Sequence, residues 1–184
     1  MSKKIILLNG PSSSGKSTLA GTLQKLIKDM KNEKYGIISI DGFLKMSTDE
    51  VIYEDDVFEV SSKLCKNAIE LLGSRQGVII DHVITSERIY KKLIETLRFY
   101  DIYLIHVTCP LIELERREKE RKNRCLGSAE ASYQYLFPKE DYDLTVDTFQ
   151  LSAEDCSLQI IGILKWKITS NLKGWFEEDI FSEE

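Results

Sequence analysis

Gly10-Pro11-Ser12-Ser13-Ser14-Gly15-Lys16-Ser17 is the stretch whose reading decides the fold. It fits G-x-x-x-x-G-K-[ST] and stands between an apolar run, Ile5-Ile6-Leu7-Leu8, and a stretch where Leu19, Leu23, Leu26, Ile27 and Met30 recur at helical spacing. A strand that feeds a helix through such a loop is the setting a phosphate cradle needs. The glycines let backbone N–H groups curl around phosphate oxygens, and the helix N-terminus adds a favourable dipole. Lys16 is expected to reach the β- and γ-phosphates of ATP, and the Ser17 hydroxyl to bind Mg²⁺. Gly10, Pro11, Ser12, Ser13, Ser14, Gly15 and Thr18 complete the expected nucleotide contacts.

Outward from the loop, short apolar runs alternate with helical patterns, the order that gives a parallel sheet covered on both faces. The expected strands are Lys3–Leu8, Gly36–Ile40, Val78–Ile80, Ile102–Val107 and Leu144–Val146. Most are continuous rather than alternating in hydropathy, as strands buried on both faces should be. Three further stripes read as core-facing helices: Val60, Leu64, Ala68 and Leu71; Ile89, Leu93 and Leu97; and Ile161, Leu164, Ile168, Leu172 and Trp175. The expected fold is α/β, a P-loop NTPase three-layer sandwich around a five-stranded parallel sheet in the order 2-3-1-4-5.

The 184 residues suit one domain, 1–184, and a 42% apolar and 30% charged composition is that of a globular chain. A spanning helix needs about 20 apolar residues and a secretory signal roughly 7–15, whereas the run after Lys3 and Lys4 stops at Asn9-Gly10. No membrane association and a cytoplasmic location are expected. Cys65, Cys109, Cys125 and Cys156 are scattered, with only His82 and His106 as imidazoles, so free thiols are expected rather than zinc. A net charge of −5 disfavours nucleic acid as a partner. Acidic residues crowd the tail at about 177–184, which reads as a solvated end.

Two carboxylates follow strands: Asp41 after Ile37-Ile38-Ser39-Ile40, and Asp81 after Val78-Ile79-Ile80. Both are expected at the carboxyl edge of the sheet, where open α/β folds bind ligands. There a carboxylate can take a proton from an acceptor hydroxyl or hold Mg²⁺. Asp41-Gly42 is equally good turn chemistry. His106 reads as a core residue, and His82 as one that packs or bonds locally. After the fourth strand comes a basic run, Arg116, Arg117, Lys119, Arg121, Lys122 and Arg124, inside an expected helical lid at about 111–135. Arg121 and Arg124 share a helix face, with Arg117 on the same side, and can neutralise a transferring phosphoryl group. The competing reading is a solvated helix with pairs such as Glu118 with Lys122 and Glu120 with Arg124.

The chain resembles the chloramphenicol phosphotransferase-like kinases over roughly residues 3–165. The resemblance runs through I-I-L-L-N-G-P-S-S-S-G-K-S, I-S-I-D-G-F, V-I-I-D-H-V and H-V-T-C-P. It continues through R-E-K-E-R-K-N-R-C-L-G to Y-D-L-T-V-D-T. It implies transfer of the γ-phosphoryl group of MgATP to a hydroxyl of a small molecule. It also implies that Asp41 is the general base, that Arg121 and Arg124 are lid arginines, and that Asp147 and Thr148 lie near the adenine. Asp81 is assigned to the metal together with Ser17. The stretch between Asp41 and Asp81 is shorter than in that family and carries Glu54-Asp55-Asp56, His82 follows Asp81 in place of a second acid, and Phe137 replaces an expected His. The acceptor is therefore left open between an antibiotic and a metabolite, nucleoside or sugar-nucleotide, as in shikimate-kinase-like or zeta-toxin-like proteins. A nucleotide-dependent switch without an acceptor is the reading from a different class. The oligomeric state is left open.

Overall fold

In the centre of the sheet lies β1 (Lys4–Asn9), buried along its whole length because both of its faces are covered. Ile5 and Leu7 face one way, against Leu64, Ala68, Ile89 and Leu93, while Ile6 and Leu8 face the other, against Leu19, Leu23, Ile27, Ile160 and Leu164. That two-sided burial is why the run is apolar without interruption. The computed structural model describes residues 4–44, 53–74, 76–121 and 126–164.

The element order is β1, α1 (Lys16–Lys31), β2 (Tyr35–Ser39), a 3-10 turn (Ile40–Gly42), α2 (Glu54–Gly73), β3 (Gly77–His82) and α3 (Glu87–Leu97). There follow β4 (Asp101–Thr108), α4 (Leu111–Arg121), α5 (Ser128–Tyr135) and β5 (Leu144–Asp147), and then a helical run over 153–164. All pairings are parallel, and the strand order is β2-β3-β1-β4-β5. With α1 and the 153–164 run on one face and α2 and α3 on the other, the sandwich has the three expected layers. Among the described residues no helix is long and apolar enough to cross a membrane.

Strand boundaries differ from expectation by one or two residues at both ends, and those at the carboxyl ends fall at the functional edge. β1 extends to Asn9 and β3 to His82, so Asp81 lies within its strand, 3% exposed, instead of after it. Ladder register sets these ends: Leu8 pairs with Asp81 and Asn9 with His82, and the hydropathy of the side chains does not enter. Met30, expected in the core, is 53% exposed at the end of α1. The last helix begins at residue 153 rather than near Ile161, and Cys156 and Ile160 contribute to the core. Ile168, Leu172, Trp175 and the acidic tail lie outside the described residues, as do Lys3, Arg124 and Cys125. Cys65, Cys109 and Cys156 are free and buried, as expected.

Two glycines test this packing in opposite directions. A Cβ on Gly10 would lie 2.2 Å from the Val107 backbone oxygen of β4, a contact that no rotamer relieves. A Cβ on Gly21, in the middle of α1, would meet nothing within 4 Å. Gly10→Ala should cost about 2–3 kcal/mol by forcing the loop off β4, and Gly21→Ala should gain about 0.5–1 kcal/mol. Urea denaturation measures both; a Gly10→Ala protein as stable as wild type would mean that β4 does not press on the loop.

Candidate functional site

The turn from β1 into α1 is built to present donors. Gly15 adopts φ 85° as the residue capping α1, a left-handed conformation that L side chains rarely take, and Ser13 adopts φ 64°. Such strain in a ligand-binding turn is typical when the surrounding structure enforces it. The α1 N-terminus has no side-chain cap and no acidic residue in its first turn, so its dipole is left to an external anion. The hydroxyls of Ser13 and Ser14 are buried with no hydrogen-bond partner among the described residues. Lys16 is 6% exposed, and its Nζ donates to the Pro11 carbonyl at 2.8 Å, so the ammonium is folded back over the loop. Buried hydroxyls without a partner, an uncapped helix and a poised ammonium together fit a polyphosphate.

Beside the loop, the Ser17 hydroxyl donates to Asp81 Oδ2 at 2.6 Å. Ser17 is in the first turn of α1 and Asp81 is next to it on β3, on the sheet face shared with Ile79. His82, the next residue, points to the opposite face and meets Ser61 of α2, with Ser61 Oγ 3.4 Å from Nε2. The one Ser61 proton already goes to the Val57 carbonyl at 2.6 Å. Full burial, with the Lys16 charge adding to it, pushes the His82 pKa down to about 4 against the pull of the Val83 backbone. A base that weak, out of reach of solvent, is not poised to take up a proton at neutral pH. Asp41 lies in the 3-10 turn immediately after β2, whose last residue, Ser39, pairs with Asp81. The two carboxylates thus share the carboxyl edge with the loop.

On the other side of α1 is a cavity of about 470 Å³, lined by Ser13, Gly15 and Thr18 of the loop and helix, Arg117 and Arg121 of α4, and Thr148 after β5. Leu151 and Ala153 add apolar walls, and the size suits a nucleoside. Arg117 is fixed there. Its Nε donates to Glu113 at 2.8 Å, and its two terminal nitrogens donate to the hydroxyl and the carbonyl of Thr148 at 3.3 and 3.2 Å. Thr148 in turn donates to the Ser14 carbonyl at 2.7 Å. Hydrogen bonds from Arg116 and Arg117 hold the Glu113 carboxyl down at about 2. Of the expected nucleotide residues, Ser13, Gly15, Thr18 and Thr148 line the cavity, and Gly10, Pro11, Ser12, Ser14, Lys16, Ser17 and Asp147 do not; the Asp147 carboxylate accepts the Phe149 amide at 2.8 Å and shapes the turn that delivers Thr148.

Asn9, absent from the expected set, belongs to this edge, and so do Arg117 and Glu118, in roles other than the expected ones. Arg117, rather than Arg121, makes the bonds that tie α4 to the loop, and Arg124 lies outside the described residues. Glu118 is not solvated: it is 4% exposed and accepts backbone amides, while Glu120 pairs with Arg116; the expected partners Lys122 and Arg124 lie outside the described residues. Asn9 is fully buried at the end of β1. Its amide donates to the Phe137 carbonyl and the Tyr142 hydroxyl at 2.9 and 2.8 Å, its oxygen accepts the Ile84 amide, and Tyr142 stacks on His106. The polar residue at the end of an apolar strand was a visible signal for Asn9, and the R-E pair inside the basic run was the signal for the other two.

The family profile described as "Chloramphenicol phosphotransferase-like protein" matches residues 3–165. Several solved structures share the fold. An APS kinase from Mycobacterium tuberculosis, in complex with AMPPNP and APS, superposes with a TM-score of 0.72 at 18% identity, over 89% of this chain and 98% of that one. A gluconokinase from Sinorhizobium meliloti 1021 gives a TM-score of 0.65 at 18% identity, over 90% and 97%. The tunicamycin resistance protein of Deinococcus radiodurans gives 0.62 at 16%, over 89% and 96%. No curated protein matches the chain by sequence.

If the loop is a polyphosphate site, tripolyphosphate alone should stabilise the fold. At a hundredfold excess over its dissociation constant the gain should be about 2.7 kcal/mol. Lys16→Ala should lose most of that gain while keeping the unliganded stability within about 1 kcal/mol, because the hydrogen bond from its Nζ to the Pro11 carbonyl is worth about that much. Equal stabilisation of both proteins in thermal melts would place the anion elsewhere.

Proposed function

The chain belongs to the chloramphenicol phosphotransferase-like family, and from that premise we propose that it is a kinase moving the γ-phosphoryl group of MgATP to a hydroxyl of a small molecule. The observation that carries this reading is the meeting of Lys16, Ser17 and Asp81 at the N-terminus of α1, with Ser17 Oγ–H donating to Asp81 at 2.6 Å. The AMPPNP in the similar APS kinase structure supports ATP as the donor.

The residues present fit Mg²⁺. Ser17 and Asp81 juxtapose a hydroxyl and a single carboxylate, the kind of partial oxygen set that this ion completes with phosphate oxygens and water. Among the described residues no group of three or more His, Cys, Asp or Glu side chains forms a cage of its own. When bound, the ion would offset charge on the β- and γ-phosphates. Lys16 is in reach of the same phosphates once it leaves the Pro11 carbonyl. Loop amides and the α1 dipole hold the leaving side, Arg117 and Arg121 border the cavity on the nucleotide side, and Asp41 accepts the proton of the attacking hydroxyl. Catalysis of this kind rests on positioning and charge. A small, freely diffusing acceptor agrees with the −5 net charge, which suits no polyanionic partner.

ADP formation in the presence of a panel of hydroxyl compounds, antibiotics, sugars and nucleosides among them, tests the reading. One class should stimulate ADP release and appear as its phosphate ester by mass spectrometry. Slow hydrolysis that no hydroxyl compound changes would instead mark a nucleotide-dependent switch. With the true acceptor, Asp41→Asn should lower turnover by roughly 10²–10⁴-fold while nucleotide binding survives, since Asn keeps the size but cannot take a proton. Asp81→Asn should raise the Mg²⁺ requirement instead. Full turnover in Asp41→Asn together with loss in Asp81→Asn at saturating Mg²⁺ would reverse the two assignments.

A further inference from the structure

Glu118 is an acid inside a basic helix, and it faces the protein. Although the residues around it on α4 are Arg116, Arg117, Lys119 and Arg121, its side chain is 4% exposed, and both carboxylate oxygens are spent on backbone. Oε2 accepts the Gly127 amide at 2.9 Å, and Oε1 accepts the Ala129 amide at 2.7 Å, nine and eleven residues further on. These amides flank the start of α5. The helix has Gly127 as its capping residue, at φ 92°, with no side-chain cap of its own. Glu118 supplies from another helix the acceptor that an N-capping residue normally supplies locally.

One turn into α5, Ser132 Oγ donates to the Ser128 carbonyl at 2.6 Å. Its single proton is thereby used, so it accepts from the Ser12 amide, 2.8 Å away in the phosphate loop. The next residue back along α4, Arg117, reaches the same loop from the opposite side through Thr148 and the Ser14 carbonyl. Among the described residues the buried apolar cluster at this junction is small: Cys109, Leu114 and Ala129. Polar links therefore carry the α4–α5 junction.

We propose that Glu118 is a positioning residue: it ties α4 to the start of α5, and through Ser132 on α5 to the Ser12 amide, so that the arginines of α4 and the phosphate loop keep one geometry. The effect on phosphoryl transfer rests on the kinase reading above, but the linkage itself does not. Glu118 touches no reacting atom; it acts through α5. Loss of the link should slow transfer more than it weakens MgATP binding, because Lys16 and the loop hydroxyls are untouched while the arginines lose their register.

Amide hydrogen exchange of the nucleotide-free protein, resolved by residue, tests the linkage in Glu118→Gln and Ser132→Ala. Gln retains one acceptor oxygen but sets an NH₂ group against the second amide. Glu118→Gln should speed exchange at Gly127, Ala129 and also Ser12, the last by about tenfold, the ratio that corresponds to one net hydrogen bond. Ser132→Ala should speed Ser12 alone. The amides of β1 serve as the reference, since a merely structural loss would raise them too. Acceleration confined to Gly127 and Ala129 in Glu118→Gln, or spread equally over β1, overturns the proposal. If Glu118→Gln does not fold, unchanged Ser12 exchange in Ser132→Ala overturns it. A chain that transfers phosphate to no hydroxyl refutes the kinase reading and leaves this exchange result standing by itself.

Discussion

Everything at the functional edge depends on one steric constraint, that the chain must pass from a strand buried on both faces into a helix within six residues and with no Cβ at either end of the turn. At Gly10 the β4 carbonyl of Val107 occupies the space a side chain would need, and at Gly15 the backbone takes a left-handed φ of 85°. Together they bring the α1 N-terminus directly over the carboxyl end of β1. Uncapped amides, Lys16 and the buried hydroxyls of Ser13 and Ser14 are thereby gathered in one turn of chain. The strand order adds the rest, because β3 and β4 flank β1 and deliver Asp81 on one side and the Thr148 turn, by way of β5, on the other.

Polarity is divided by the sheet. On the α1 face Asp81 meets Ser17, a pair suited to a hard cation. On the α2 face burial, with the Lys16 charge adding to it, keeps His82 neutral, so that no second positive charge is added beside Lys16. The helices after β4 complete the enclosure. α4 presents arginines to the nucleotide side, and the acids among them hold the arginines and α5 in place: Glu113 fixes Arg117, and Glu118 caps α5. A basic run can neutralise phosphate only if its side chains do not collapse onto one another, and the interleaved acids prevent that.

The central strands were legible because burial on both faces leaves an unbroken apolar run, and the phosphate loop was legible because its glycines and its Lys-Ser pair have few other uses. Strand ends were not, since ladder register carries β1 through Asn9 and β3 through Asp81 and His82, polar residues that hydropathy assigns to loops. Asp147 and Thr148 could be placed together by resemblance, but whether the carboxylate faced the cavity or its own turn was decided by local Asx geometry. Glu118 was illegible for a different reason. At helical spacing an acid four residues from a lysine reads as a solvated pair, and only the return of α5 against α4 supplies the amides that bury it.

On the kinase reading proposed above, the backbone of this loop receives a nucleoside triphosphate. Hydrogen exchange of the loop amides, measured with and without a non-hydrolysable ATP analogue and Mg²⁺, tests this at the atoms concerned. Strong protection is expected from Ser13 through Thr18, lost in Lys16→Ala, with the amides of β2 unaffected. Exchange in the loop that stays the same at saturating nucleotide, or protection that appears only outside it, would mean that the loop is not the receptor.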